Sequence, residues 1–203
     1  MAQYNSENIL VGAAAIFVSS DDTAVVTADG NTATALNTDP LWQSTGYTTG
    51  GVEVTYTPDY GAVEVDQLLD DAVLFKQRMT VSVATTLAEA TLDNLIFAWG
   101  QADSTITPTG SLDGEKPTAT RTLTLESGNL GDRPIERQLA FVGQAPVGAD
   151  ERVYHLHRCL NVESSAHSLS RADATSIPVS LRCLPNNDGE YGTITDFVAP
   201  VVP

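Results

Sequence analysis

The chain has little positive charge. Ten lysines and arginines stand against 26 aspartates and glutamates, a formal net charge of −16 over 203 residues. Holding a nucleic acid by its phosphates takes clustered Lys and Arg, so that class of binding is excluded. The acidity suits a surface that must repel polyanions. Aromatics make up only 6% of residues. A carbohydrate-binding sandwich needs exposed aromatic platforms, and Trp42 and Trp99 read as structural, which ranks that class last. The two cysteines, Cys159 and Cys183, have no metal-ligand spacing. Each lies in an apolar, strand-like run and reads as a buried free thiol rather than half of a disulfide. The chain lacks a glycine-rich phosphate loop and a Gly-x-Ser-x-Gly elbow. Its paired acids, Asp21-Asp22 and Asp70-Asp71, lack the alternating oxygens and glycine bend of a calcium loop. The opening MAQYNSENILVGAAAIFV has an acidic head and an apolar run too short to cross a bilayer, so neither a signal peptide nor membrane insertion is expected.

What is abundant is Thr, Ala, Val, Gly and Asp. β-Branched residues fit a pleated surface better than a helix, and the composition favours strands and loops. Residues 8–18 read as a first strand. The stretch GGVEVTYTPDYGAVEVDQ, residues 50–67, alternates apolar and polar positions. Val52, Val54 and Tyr56 would face one way, and Glu53, Thr55 and Thr57 the other. After a turn at Pro58-Asp59-Tyr60-Gly61 the pattern resumes, with Val63 and Val65 opposed to Glu64 and Asp66. The run DAVLFKQRMTVSVATT puts Val73, Phe75, Met79, Val81 and Val83 on one face and Lys76, Arg78, Thr80 and Ser82 on the other. Strands are expected at 52–57, 62–67, 72–84, 121–127, 136–144, 152–163 and 174–184.

One helix is expected at about 86–99. Thr86-Leu87-Ala88-Glu89 has the form of a capping box, Leu92, Leu95, Ile96 and Trp99 form one apolar stripe, and Gly100 is the stop. Residues 19–41 and 101–120 are small, polar and aperiodic, and read as long loops. Residues 185–203, rich in Gly, Pro, Asn and Asp, read as a C-terminal arm. The expectation is a single mainly β domain spanning 1–203, an antiparallel sandwich or barrel with one packed helix.

The one lead toward catalysis is Tyr154-His155-Leu156-His157, with His167 further on. Two histidines at i and i+2 on a strand point to the same face and can present two imidazoles to zinc, so a zinc-dependent hydrolase using His155, His157 and His167 is the reading from another class. A simpler reading places His155 and His157 on the polar face of their strand. The expectation is a protein with no cofactor and no catalytic role.

The order DPLWQSTGYTTGGVEVTYTPDYGAVEVDQ, then LFKQRMTVSVATTLAEATLDNLIFAWG, resembles the major tail tube protein of long-tailed, siphovirus-type bacteriophages, nearest to the type carried by phages of actinobacteria. The matching pieces are Asp39-Pro40-Leu41-Trp42, the Gly46-Tyr47 turn, Gly51, Val65-Asp66-Gln67, the Leu87-Ala88-Glu89 helix start and Leu92-Asp93-Asn94-Leu95. They cover 8–18 and 39–100; the second half matches only in being β-rich. The resemblance implies a virion structural protein made and assembled in the host cytoplasm. Its homohexameric rings would stack into a hollow tube through which genomic DNA passes without specific binding. Tail-terminator, tape-measure and tail-tip proteins would be its partners. A tail-terminator or capsid-decoration protein is the alternative among virion components.

The resemblance implies a ring whose sheets join edge to edge into a barrel, and about two dozen strands ~4.8 Å apart and tilted ~45° would leave a bore of ~40 Å. On this reading Glu53, Glu64 and Asp66 line that bore and hold DNA off its wall. Rings this acidic repel one another, with screening over ~8–10 Å. Their contacts must be apolar, strand-paired or locally salt-bridged. Lys76, Arg78, Lys116, Arg121 and Arg133 are the candidates for the last, and segments 19–41, 101–120 and 185–203 are the expected bridges between subunits or rings.

Overall fold

A computed structural model describes residues 12–103, 106–109, 120–146, 149–167, 169, 171 and 173–198. The fold is mainly β, with one eight-stranded antiparallel sheet and two short helices; the sheet does not close into a barrel. In chain order the elements are β1 (Ala15–Ser19), α1 (Thr32–Thr38), β2 (Gln43–Ser44), β3 (Thr48–Val63), β4 (Val73–Leu87) and α2 (Leu92–Trp99). They are followed by β5 (Ile106–Thr109), β6 (Thr120–Leu123), β7 (Arg137–Gln144), β8 (Glu151–Asn161), β9 (Ile177–Leu184) and β10 (Gly192–Phe197). The main sheet runs β2-β1-β7-β8-β9-β4-β3, and β5 and β6 form a separate pair. β8 forks it: Glu151–Leu156 pair with β10, whereas Arg158–Asn161 pair with β9. His157, at the fork, donates its N–H to the Tyr191 carbonyl at 3.1 Å.

The sheet is buried on both faces at its centre. Neighbouring strand residues point to opposite faces, and Ile16 belongs to one core while Phe17 belongs to the other. The larger core gathers Val81, Val83 and Leu87 of β4, Leu139 and Phe141 of β7, and Ile177, Val179 and Leu181 of β9 beneath Phe97 of α2. The second core packs Phe17, Ala140, Val142 and Val153 against Leu36 of α1, Ala24 and Trp42. Segment 19–41, expected as a bridging loop, thus forms a layer of the subunit's own core and contains a helix.

The start of α1 is fixed from far away. Its N-cap, Asn31, makes no side-chain cap. The buried Glu151 carboxylate accepts instead from the N–H groups of Gly30 at 3.0 Å and Thr32 at 3.2 Å, and from the Thr32 hydroxyl. Charge-assisted bonds to orphan amides at a helix start are among the stronger hydrogen bonds in a fold.

The helix α2 begins later than its sequence pattern suggests. Thr86 and Leu87 remain in β4, opposite Pro178 and Ile177 of β9. Thr91 is the cap, its side chain accepting from Asn94 N–H at 3.2 Å. Glu89 binds the Tyr47 N–H at 2.9 Å instead. Gly46, at φ 76°, leaves room for that carboxylate: a Cβ there would lie 2.1 Å from it. Gly100 ends the helix at φ 63°, in agreement with the sequence.

The C-terminal segment differs most from an arm. Residues 192–197 are paired with β8, Arg152 grips Asp196 through two bonds of 2.5 and 2.7 Å, and the Phe197 ring lies over Gly30.

Candidate assembly surface

The hairpin β3–β4 is built from one continuous 16-residue strand against a 15-residue one. Pro58–Gly61, expected as a turn, lie inside β3. Pro58 is tolerated because β3 is an edge strand, with no described strand on its outer side. β9 covers β4 only from Val81 onward. Residues 57–80 therefore stand beyond the sheet as a two-stranded ribbon, roughly 20 Å long at about 3.4 Å per residue.

Of the two irregularities in the β3–β4 register, at Thr49/Val52 and at Asp59/Tyr60, the second re-sorts the faces of the ribbon. Asp59 pairs with Arg78 and Tyr60 with Lys76, leaving Gln77 as an extra residue in β4. A bulge of this kind flips the alternation of the strand that carries it. Partners directly opposite share a face. One face therefore holds Val52, Val54, Tyr56, Tyr60 and Ala62 with Val83, Val81, Met79, Lys76 and Leu74. The other holds Glu53, Thr55, Thr57, Asp59 and Val63 with Ser82, Thr80, Arg78, Phe75 and Val73.

Three expectations change as a result. Phe75 and Val73 join the carboxylate face rather than the valine face. Lys76 leaves the polar face, and its ammonium lies 3.2 Å from the Tyr56 hydroxyl and 5.7 Å from that ring's centroid. The valine face meets the core only at its base, through Val81 and Val83 of β4 with Val52 packed against them. Val54, Tyr56, Tyr60 and Leu74 are exposed, as are Val63, Val73 and Phe75 opposite.

Of the acidic residues proposed for one row, Glu53 is exposed in β3, whereas Glu64 and Asp66 lie past its end. They line the hairpin tip with Asp70, Asp71, Leu68 and Leu69. The strand ends at Val63, so no alternation carries Glu53's face to them. The tip's bare leucines escaped the sequence reading; the signal was the run Leu68-Leu69 within a cluster of aspartates.

The cations separate. Arg121 is held inside the subunit by a bidentate pair with Asp93 at 2.6 and 3.0 Å, and Lys76 by Tyr56. Arg78 and Arg133 are exposed. Lys116 lies outside the described residues, as does most of 101–120.

The histidines do not converge. His155 and His157 meet edge to face with ring centroids 4.8 Å apart, while His167 stacks against Trp99. Among the described residues no group of three His, Cys, Asp or Glu side chains is placed to hold a metal. His155 is half-buried beside Trp42 and shares a 2.5 Å hydrogen bond with Gln138. Burial, with a smaller effect from His157, pushes its pKa down to about 4. The open cleft they line is crossed by Arg158, whose guanidinium is engaged by Glu136 at 2.6 and 2.8 Å. Among the described residues no helix is long and apolar enough to cross a membrane.

No protein-family model matches the chain, and no curated protein matches it.

Proposed function

We propose that this chain is a structural subunit that polymerises with copies of itself, and that the polymer is the tail tube of a long-tailed bacteriophage. The observation that carries the reading is the ribbon at 57–80, with apolar side chains bare on both faces and an outer edge along β3 that no described strand pairs. An open edge of that length invites pairing with another chain, and monomeric proteins blunt it with charge, bulges or a cover. A neighbouring copy would complete both the edge and the apolar face. The residues quoted for the resemblance run through this same hairpin.

In this reading the face with Val54, Tyr56, Tyr60 and Leu74 packs on the neighbouring subunit, and the face with Glu53, Thr55, Thr57, Thr80 and Ser82 lines the bore. Arg78 shares the bore face, but Asp59 is its direct partner across the ladder. DNA carries a phosphate charge every ~1.7 Å of its axis. The hydroxyls and carboxylates of this face, and the exposed Val63, Val73 and Phe75 that share it, offer it no counterion release and let it slide. The acids at the tip, Glu64, Asp66, Asp70 and Asp71, would sit at a boundary between subunits rather than in the row with Glu53.

Negative-stain microscopy of the concentrated protein tests the proposal. Filaments of indefinite length with a central channel are expected. Discrete rings would assign the chain to a tail terminator, and a protein that stays monomeric at every concentration and salt would overturn the reading.

A further inference from the structure

Cys159 of β8 and Cys183 of β9 are direct partners across the ladder, both 1% exposed, with their sulfurs 3.0 Å apart. Both are free thiols. Directly opposed residues of an antiparallel pair have Cα atoms about 4.5 or 5.5 Å apart. Either spacing lies inside the roughly 4.4–6.8 Å range that a disulfide spans. Forming the bond thus needs the sulfurs to close by rotation about their side chains, with the strands left in place.

We propose that this pair is an oxidation site, at which hydrogen peroxide converts the two thiols into an intrachain cross-strand disulfide. The Cys183 thiolate attacks one peroxide oxygen, breaking the O–O bond and giving a sulfenic acid and hydroxide. The Cys159 sulfur then attacks the Cys183 sulfur, forming the S–S bond and expelling the hydroxyl as water. In sum two thiols and one peroxide give one disulfide and two waters; two electrons pass from sulfur to oxygen.

The chemistry of the pair fits an order of events. The hydrogen bond between the two sulfurs lowers the Cys183 pKa and, together with burial, raises that of Cys159. The thiolate is the nucleophile in such reactions, so Cys183 reacts first and Cys159 resolves. Both thiols lie in the larger core, so oxidation requires a local opening of the short β8–β9 ladder, confined to Arg158–Asn161 against Leu181–Leu184. Peroxide is small enough to use a local opening there. Arg158 and Arg182 belong to the same ladder but sit one position away on their strands, on the opposite face, and the next neighbour of Cys183 across β9 is Val81.

The position gives the bond a mechanical consequence. Val81, Cys183 and Cys159 follow one another across β4, β9 and β8. That row crosses the sheet where β4 leaves it to form the projecting ribbon. A disulfide would tie β9, the strand on which the root of the hairpin is paired, to β8.

The test exposes the folded, reduced chain to hydrogen peroxide, removes the oxidant with catalase, and unfolds it in iodoacetamide before digestion and mass spectrometry. The expected product is a monomer lighter by about 2 Da, with the Cys159 and Cys183 peptides joined and neither sulfur alkylated. Cys159→Ser should instead accumulate a sulfenic acid at Cys183 that dimedone traps. Recovery of both cysteines alkylated would overturn the proposal, as would sulfinic acids or intermolecular dimers. Should Cys159→Ser fail to fold, a time course on the unsubstituted chain still decides, because dimedone must capture Cys183 before the cross-link appears. Capture at Cys159 alone would reverse the assigned roles and refute the mechanism.

Discussion

Val73 and Leu74 are adjacent, both well exposed at 57% and 63%, and on opposite faces of the ribbon. Replacing each in turn by Asp therefore separates the two faces with almost the same chemistry. In the free subunit neither side chain carries much core energy. Folding should change by about 1 kcal/mol or less, mostly from the poor strand propensity of Asp, and the melting midpoint by no more than about 4 °C. Assembly is different. Burying the exposed part of Leu74 in a neighbour is worth about 1–2 kcal/mol, and an unpaired carboxylate there adds a desolvation penalty of a few kcal/mol. A total near 3 kcal/mol or more corresponds to a rise of about 100-fold or more in the critical concentration for polymerisation. Val73 sits on the face assigned to the bore, where a carboxylate remains in water. Val73→Asp should raise the critical concentration by less than about tenfold. Pelleting or light scattering against protein concentration gives both values, with circular dichroism as the folding control. Equal effects, or a larger effect at Val73, would refute the assignment of faces; no effect at either position would refute the ribbon as an assembly surface.

Two further outcomes follow from the subunit itself. Glu151→Gln keeps one acceptor oxygen but sets an amide against the donors of Gly30 and Thr32, so stability should fall by about 2 kcal/mol. Urea titration checks it, and an unchanged midpoint would remove Glu151 as the anchor of α1. His155 titrates near 4 in the fold, against 6.5 for its ordinary value. Between those values the unfolded chain binds a proton that the folded chain does not, so stability is full above about pH 6.5 and falls as the pH drops toward 4. Denaturation midpoints at pH 7 and pH 5 should differ less in His155→Gln than in the unsubstituted chain, and equal differences would show that His155 contributes nothing to the slope.

Much of the sheet was legible because alternation and burial coincide there. In β9 the buried residues Ile177, Val179, Leu181 and Cys183 fall on every second position, as the pattern requires. Other features depend on partners far along the chain. Thr86 and Thr91 are each a threonine with a helix-compatible run behind it. Pairing with β9 kept Thr86 in a strand and left Thr91 to cap α2. The segment read as an arm became β10 because Phe197 lies over Gly30 and Asp196 meets Arg152, two contacts that leave no local mark. The bulge at Gln77 is likewise a property of two strands together, and it alone moved Lys76, Phe75 and Val73 between faces.

The hairpin exposes the deeper limit of reading burial from periodicity. Val54 and Val83 are direct partners on one face, and the alternation treats them alike. Yet Val83 is 1% exposed and Val54 is 42% exposed. Val83 lies on β4, which β9 flanks, whereas Val54 lies on the edge strand. The alternating pattern records that a face is suited to burial; which molecule buries it depends on how many strands the same chain supplies. An apolar face that the described residues leave uncovered, on an edge that no described strand pairs, in a protein too acidic to attract copies of itself by charge, would find its cover in another copy through shape and strand pairing. That combination makes self-assembly the economical account of why selection would keep Val54, Tyr56, Tyr60 and Leu74 in water.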